Sequence, residues 1–344
     1  MSRPTWTAIP APAGPAFPSI CRPERPDMHR LTLSLAFTVP LLAVQPATGG
    51  EFPVAVTSCG REIAFDAAPA RAVAHGSNLV EIMLALGLED RMLGYSGRIE
   101  RVRAATDLFP AAAKLRPLQR DYPTLEMLLE EGADFYFAGW SYGMRVGGEV
   151  TPDTLGRYGI PVYELSESCI RLGQKNRPGF DYLFRDLENL AAIFGVPERA
   201  EALIADYRVR LDRVRARLAG KTDRPRVFVY DSGDKVPLTA GGYAMPQAII
   251  DAAGGRNIAE DIESNWVRID WETVAERNPQ AVVIVDYGEV AAAEKIAFMK
   301  EHPAFAHIDA VRGDRFLVLG YDDLTPGPRN IHAVERLADF LHGE

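Results

Sequence analysis

The sequence predicts an α/β protein of two Rossmann-like lobes, each with a mostly parallel sheet, joined by a single long α-helix. Three observations predict it. Short apolar strands alternate with amphipathic helices through most of the chain, the pattern of a parallel sheet covered on both faces. A stretch of the first half returns in the second: residues 124–129 lead through Gly132-Ala133 into 134–137, as residues 270–275 lead through Asn278-Pro279 into 281–284. Such a repeat fits two similar lobes better than one large sheet. Between the copies, Ala200, Leu203, Ile204, Tyr207, Leu211, Val214 and Leu218 follow one another at helical steps and draw an apolar stripe along one side of a helix.

That helix is expected over about residues 198–219. Pro197 suits a first turn, Glu198 the positive N-terminal end and Arg213, Arg215 and Arg217 the negative C-terminal end, and Gly220 supplies a stop. At 1.5 Å per residue it reaches roughly 33 Å, about the diameter of a small domain. The predicted organisation is an N-terminal lobe over 50–179, a helical linker over 180–220 and a C-terminal lobe over 221–344.

In the first lobe the pattern predicts strands at 71–75, 92–95, 134–138 and 161–165. Helices are predicted at 79–86, after a capping turn Gly76-Ser77-Asn78, at 124–131 and at 151–158. The second lobe predicts strands at 226–230, 256–258, 281–286 and 315–319, with helices at 245–253, 271–277, 291–299 and 332–341.

The N-terminus reads as an export address. Met28-His29-Arg30 is a short basic start, residues 31–44 are an apolar run too short to span a bilayer comfortably, and Ala47-Thr48-Gly49 offers small residues for cleavage. Residues 28–49 are therefore expected to be a signal peptide directing the chain to the periplasm. The Pro- and Ala-rich residues 1–27 are read as a spurious upstream extension, with translation starting at Met28. No cysteine follows the apolar run, so lipid attachment there is not supported. Cys59 and Cys169 remain, either as one disulfide or as two buried thiols.

Composition narrows the function. With 344 residues, 47% hydrophobic and 25% charged, the chain can bury a substantial core, and a net charge of −9 argues against nucleic acid as the main partner. No dinucleotide-binding or Walker glycine loop appears, and no G-x-S-x-G or H-E-x-x-H. The six histidines are scattered. His75, at a strand end, reads as a hydrogen-bonded structural residue, and no metal or cofactor ligand set is assigned. Acid pairs such as Asp231 with Asp234 lack a nucleophile or metal beside them, so no catalytic residue is named.

The predicted strand ends instead carry aromatic and arginine side chains. The candidate ligand-binding residues are Tyr95, Arg98, Arg120, Trp140 and Tyr142 in the first half, and Asp231, Ser232, Tyr243, Trp266, Arg268, Tyr287, Tyr321 and Arg329 in the second. Tyr and Trp give rigid contact area with a polar tip, and Arg gives a planar donor fork for carboxylate, phosphate or catecholate oxygens. A cleft so lined suits a sizeable, partly aromatic or anionic small molecule.

The run Ala70-Arg71-Ala72-Val73-Ala74 through Asn78-Leu79-Val80-Glu81 to Arg91-Met92-Leu93-Gly94 resembles the opening of the periplasmic substrate-binding proteins of iron-siderophore and vitamin B12 ABC importers. Later blocks of that family are matched by Thr124-Leu125-Glu126, by Ile249-Ile250-Asp251-Ala252-Ala253-Gly254-Gly255 and by Trp271-Glu272-Thr273-Val274, in the same order. The resemblance implies two α/β lobes bridged by one long helix, the class III binding-protein architecture, with ligand in the cleft and a modest closure. It implies a monomer that hands a metal chelate to an ABC permease dimer in the inner membrane, docking through Glu126 and Asp251. Where the vitamin B12 binder has a tryptophan this chain has Arg120 or its neighbours, which favours an oxygen-rich anionic ligand such as a ferric siderophore over cobalamin. Two other readings fit the same residues: a secreted two-lobe metal- or cofactor-processing enzyme using His75 or Asp231, and a sensory binding protein for which Glu126 and Asp251 are dispensable.

Overall fold

The computed structural model describes residues 51–343 apart from Asn176 and Pro178. The expected signal peptide and the extension before it lie outside the described residues. The chain opens with a hairpin of β1 (Val54–Ser58) and β2 (Arg61–Phe65), then β3 (Ala72–His75), α1 (Ser77–Ala85), β4 (Met92–Ser96), α2 (Ile99–Ala104) and β5 (Pro117–Gln119). There follow α3 (Leu125–Glu130), β6 (Phe135–Trp140), β7 (Gly143–Met144), α4 (Pro152–Gly156) and β8 (Val162–Glu164). Two helices come next, α5 (Phe180–Phe194) and α6 (Pro197–Leu218). The second lobe holds β9 (Arg226–Tyr230), β10 (Leu238–Ala240), α7 (Met245–Ala252), β11 (Arg256–Asn257), β12 (Trp266–Arg268), α8 (Trp271–Arg277), β13 (Ala281–Asp286), α9 (Ala292–Glu301), α10 (Asp309–Arg312), β14 (Phe316–Gly320), α11 (Tyr321–Leu324) and α12 (Asn330–His342).

Each lobe has its own parallel sheet. In the first the order is β5-β4-β3-β6, with β7 and β8 both pairing β6; in the second it is β11-β9-β13-β14. The repeat noted in the sequence is the same local structure twice. Thr124 caps α3 by accepting from the Met127 N–H at 3.2 Å, and Asp270 caps α8 by accepting from the Thr273 N–H at 2.6 Å. Both helices are followed by a left-handed residue, Gly132 at φ 64° and Asn278 at φ 41°, which turns the chain into a central strand, β6 or β13.

The apolar stripe of α6 explains why that helix joins two bodies. Ala200, Ile204 and Tyr207 are buried in the core of the first lobe, Val214 in that of the second, and Leu211 packs against both. α5, inside the predicted linker, buries Leu183, Leu187, Leu190 and Ile193 in the first lobe's core. Two α/β lobes with largely parallel sheets are thus connected through a long helix.

The segment before the first sheet strand, expected to be an arm, is the β1–β2 hairpin. Cys59 at its tip is bonded to Cys169, in the 3-10 turn of residues 166–172, with Cα atoms 5.3 Å apart. Gly76 precedes α1, whose N-terminus has no side-chain cap. The predicted cap residues do something else: Ser77 Oγ donates to Asp322 Oδ1 at 2.6 Å and Asn78 Nδ2 to the Pro326 carbonyl at 3.0 Å, both in the other lobe.

Candidate ligand-binding cleft

Where the rims of the two lobes meet they enclose a cavity of about 180 Å3. His75 ends β3 at its floor, the place where open parallel sheets present ligand sites. Its Nδ1 is 2.9 Å from Ser96 Oγ, its ring meets Tyr122 edge-on at 4.8 Å, and burial holds its pKa down at about 4. The imidazole is therefore neutral at physiological pH, in keeping with a hydrogen-bonded structural role. Gly143, at φ 95°, lets β7 run against this residue, since a Cβ there would fall 2.6 Å from the His75 side chain.

Five of the residues singled out from the sequence line the cavity: Arg98, Arg120 and Tyr142 from the first lobe, Tyr287 and Tyr321 from the second. Others lie elsewhere. Tyr95 is buried in the first lobe's core because it sits inside β4, with its side chain on the packed face. Trp140 is also buried, and its indole N–H donates to Glu164 Oε1 at 2.8 Å. Asp231 is buried just after β9, where Ser232 Oγ donates to it at 2.8 Å. Tyr243, Trp266 and Arg268 do not border the cavity, and Arg268 is tied to the Val236 carbonyl at 2.8 Å.

Arg329 is committed to holding the lobes together. Its Nε lies 2.8 and 2.9 Å from the two oxygens of Glu81 on α1, and its Nη2 3.0 Å from Asp107. On another part of the boundary Lys175 pairs with Glu263 at 3.0 Å. Burial and the nearby Asp322 push the Glu81 carboxyl up, against the pull of Arg329.

The structure adds cavity residues that sequence reasoning did not select, chiefly Arg101 and Tyr122. Arg101 belongs to α2, whose short Arg-rich sequence shows no apolar period. Its guanidinium carbon lies 4.1 Å from the Tyr287 ring centroid and 4.5 Å from that of Tyr321, and these two rings are themselves stacked at 4.9 Å. Tyr122 donates to the Ser141 carbonyl at 2.7 Å and carries Arg145 over its other side at 4.8 Å. Lys295, almost fully buried, fixes the loops behind the second rim: its ammonium donates to the carbonyls of Asp231, Val285 and Tyr287 at 2.5, 2.7 and 2.9 Å. All three of its donors are thereby satisfied.

Arg98, Arg101 and Arg120 face the cavity against one lining carboxylate, Asp121, so the site favours anions. Among the described residues no group of three His, Cys, Asp or Glu side chains is arranged to hold a bare metal ion. On the outer surface, Glu126 is exposed on α3 without an ion-pair partner among the described residues, whereas Asp251 on α7 accepts from Arg224 at 2.6 Å and from Gln247 at 2.8 Å.

Comparison with known proteins decides the family. The family model described as periplasmic binding protein matches residues 73–322. The chain belongs to the periplasmic binding protein family. It is 23% identical to an uncharacterized ABC transporter substrate-binding lipoprotein, YvrC, of Bacillus subtilis (strain 168), over 85% of this chain and 86% of that protein. The crystal structure of a periplasmic binding protein from Veillonella parvula superposes with a TM-score of 0.73 at 28% identity, covering 85% of this chain and 98% of the other. An ABC-type Fe3+-hydroxamate transport system structure from Saccharomonospora viridis gives 0.72 at 23% identity over 85% and 100%, a likeness of fold. Members of this family bind solutes and are not enzymes, which removes the enzymatic reading of His75 and Asp231, and the family places this binding protein in the periplasm.

Proposed function

We propose that this binding protein captures an anionic, oxygen-rich metal chelate of the ferric siderophore type and delivers it to an inner-membrane ABC permease. The observation that carries the reading is the inter-lobe cavity, where three arginines and the tyrosines Tyr122, Tyr142, Tyr287 and Tyr321 converge. Guanidinium forks match paired carboxylate, hydroxamate or catecholate oxygens, and tyrosine faces match the apolar parts of a chelate. Cobalamin, with a single phosphodiester among neutral amides, offers one counter-charge to the three guanidinium groups. The enclosed 180 Å3 is smaller than the roughly 300–1,000 Å3 of a small-molecule pocket, so a chelate enters with the rims apart.

Titration of tryptophan fluorescence tests this. A ferric hydroxamate or catecholate is expected to give saturable quenching, with weaker or no response to cyanocobalamin and haemin. Silence towards every ferric chelate sinks the reading.

Delivery makes a second prediction. Glu126 is exposed and unpaired among the described residues, while Asp251 already has Arg224 as its counter-charge. Glu126→Ala is expected to lower chelate uptake by reconstituted transporter about tenfold and Asp251→Ala by less, both with unchanged binding in solution. Full uptake by the double variant would favour a sensory role for the same fold.

A further inference from the structure

The contact between Arg101 and the stacked Tyr287 and Tyr321 crosses from one lobe to the other, and in it, among the described residues, a cation has no polar protein partner. Among the described residues Arg101 makes no hydrogen bond and no ion pair; its interactions are the two ring contacts, at 4.1 and 4.5 Å. Asp231 and Asp322 act on its charge through space without pairing with it. Arg120, by contrast, is an exposed side chain 3.8 Å from Glu100. Stacking on an aromatic ring occupies a face of the guanidinium and leaves its edge donors free. Those donors border the cavity between the lobes, where they can make a charge-assisted bidentate bond to paired anionic oxygens.

We infer that Arg101 is the specificity-determining residue of the cleft, assembled from both lobes: the tyrosines of the second lobe orient the guanidinium of the first, so its fork receives a pair of adjacent anionic oxygens, such as a catecholate, only when the lobes are closed. This rests on the metal-chelate reading above and deepens it. Tyr287 is a positioning residue. It has the rigidity for that role, because its own carbonyl is pinned by Lys295 at 2.9 Å. A ligand without paired anionic oxygens gains nothing from closure at this point, so discrimination and closure are one event.

The test uses the mature chain and four probes: ferric enterobactin as an anionic tris-catecholate, iron(III) citrate, cationic ferrioxamine B and neutral cyanocobalamin. Arg101→Ala is expected to weaken ferric enterobactin about 100-fold, and Arg101→Lys, which keeps the charge without the planar fork, about tenfold. Tyr287→Leu is expected to cost about tenfold in the presence of Arg101 and much less in the Arg101→Ala background, and Tyr287→Phe, which keeps the ring, to cost less than Tyr287→Leu. The inference is overturned if Arg101→Ala binds the tris-catecholate within about threefold of the parent, or if the Tyr287→Leu loss persists in the Arg101→Ala background. Should the parent bind iron(III) citrate but not the tris-catecholate, with Arg101→Ala indifferent, this inference alone fails. Binding of cyanocobalamin or ferrioxamine B alone, or of none of the four, by the parent defeats the anionic-chelate reading itself. Arg101→Lys and Tyr287→Phe serve as the folded controls.

Discussion

At pH 9, above the value of about 8 to which Glu81 is raised, replacing Arg329 with leucine is expected to destabilise the protein by about 3–5 kcal/mol, the range found when one partner of a buried ion pair is removed. Glu81, on the other side of that pair, is buried, and its two oxygens accept from the Arg329 Nε at 2.8 and 2.9 Å. With leucine in place of the guanidinium, a carboxyl that burial first and Asp322 second push up to about 8 even beside Arg329 is left in the lobe boundary without its counter-charge. It must then take up a proton or part the lobes to reach water. Urea denaturation of Arg329→Leu measures the cost, and the double variant with Glu81→Gln is expected to regain most of it, since the orphaned charge is then gone. A loss below about 1 kcal/mol would mean that the pair behaves as an exposed one.

Glu167→Gln is expected to act in the opposite direction. Glu167 lies in the 3-10 turn that carries Cys169, and both its carboxylate oxygens are buried without a hydrogen bond. The groups that act on it are Tyr142, Arg171 and Asp186 of its own lobe and the backbone N–H of Met245, which begins α7 in the other. Burial dominates and raises its pKa from 4.5 to about 7. The folded state therefore holds a proton more firmly than the unfolded one. Stability from this group is fully present below about pH 4.5 and is lost as pH rises through 7. The difference amounts to at most about 3 kcal/mol. The neutral amide is expected to be more stable than the parent at pH 8, with the advantage gone below pH 4.5. Asp186, raised by burial to about 7, acts in the same sense, so a shallower slope remains in the variant. Thermal melts between pH 5 and 8 decide; equal slopes for parent and variant would sink the assignment.

Much of the fold is legible in the residues. The caps Thr124 and Asp270, the left-handed turn residues and the step of the apolar positions in α6 are local signals that the chain obeys, whereas the expected cap of α1 is overridden because Ser77 and Asn78 bond the other lobe. The β1–β2 hairpin was not legible, since its polar alternation (Thr57, Arg61, Glu62) gives no apolar run to read. The cleft was legible only in part. Arginines and tyrosines at strand ends point to an anionic ligand, but a sequence does not say which face of the strand an aromatic takes. Tyr95 and Trp140 went to the packed side for that reason. Nor does it show that Arg329 meets Glu81, 248 positions away, or that Lys295 is swallowed by three carbonyls. Those roles depend on which loops the two sheets bring together.

Leu211 touches both cores, and no break interrupts the 22 residues around it. A rod clamped at either end has no pivot. Any parting of the rims is then expected to spread as a slight flexure over its whole length rather than to turn about one point. The two lobes are thus joined by something nearer a leaf spring than a hinged door.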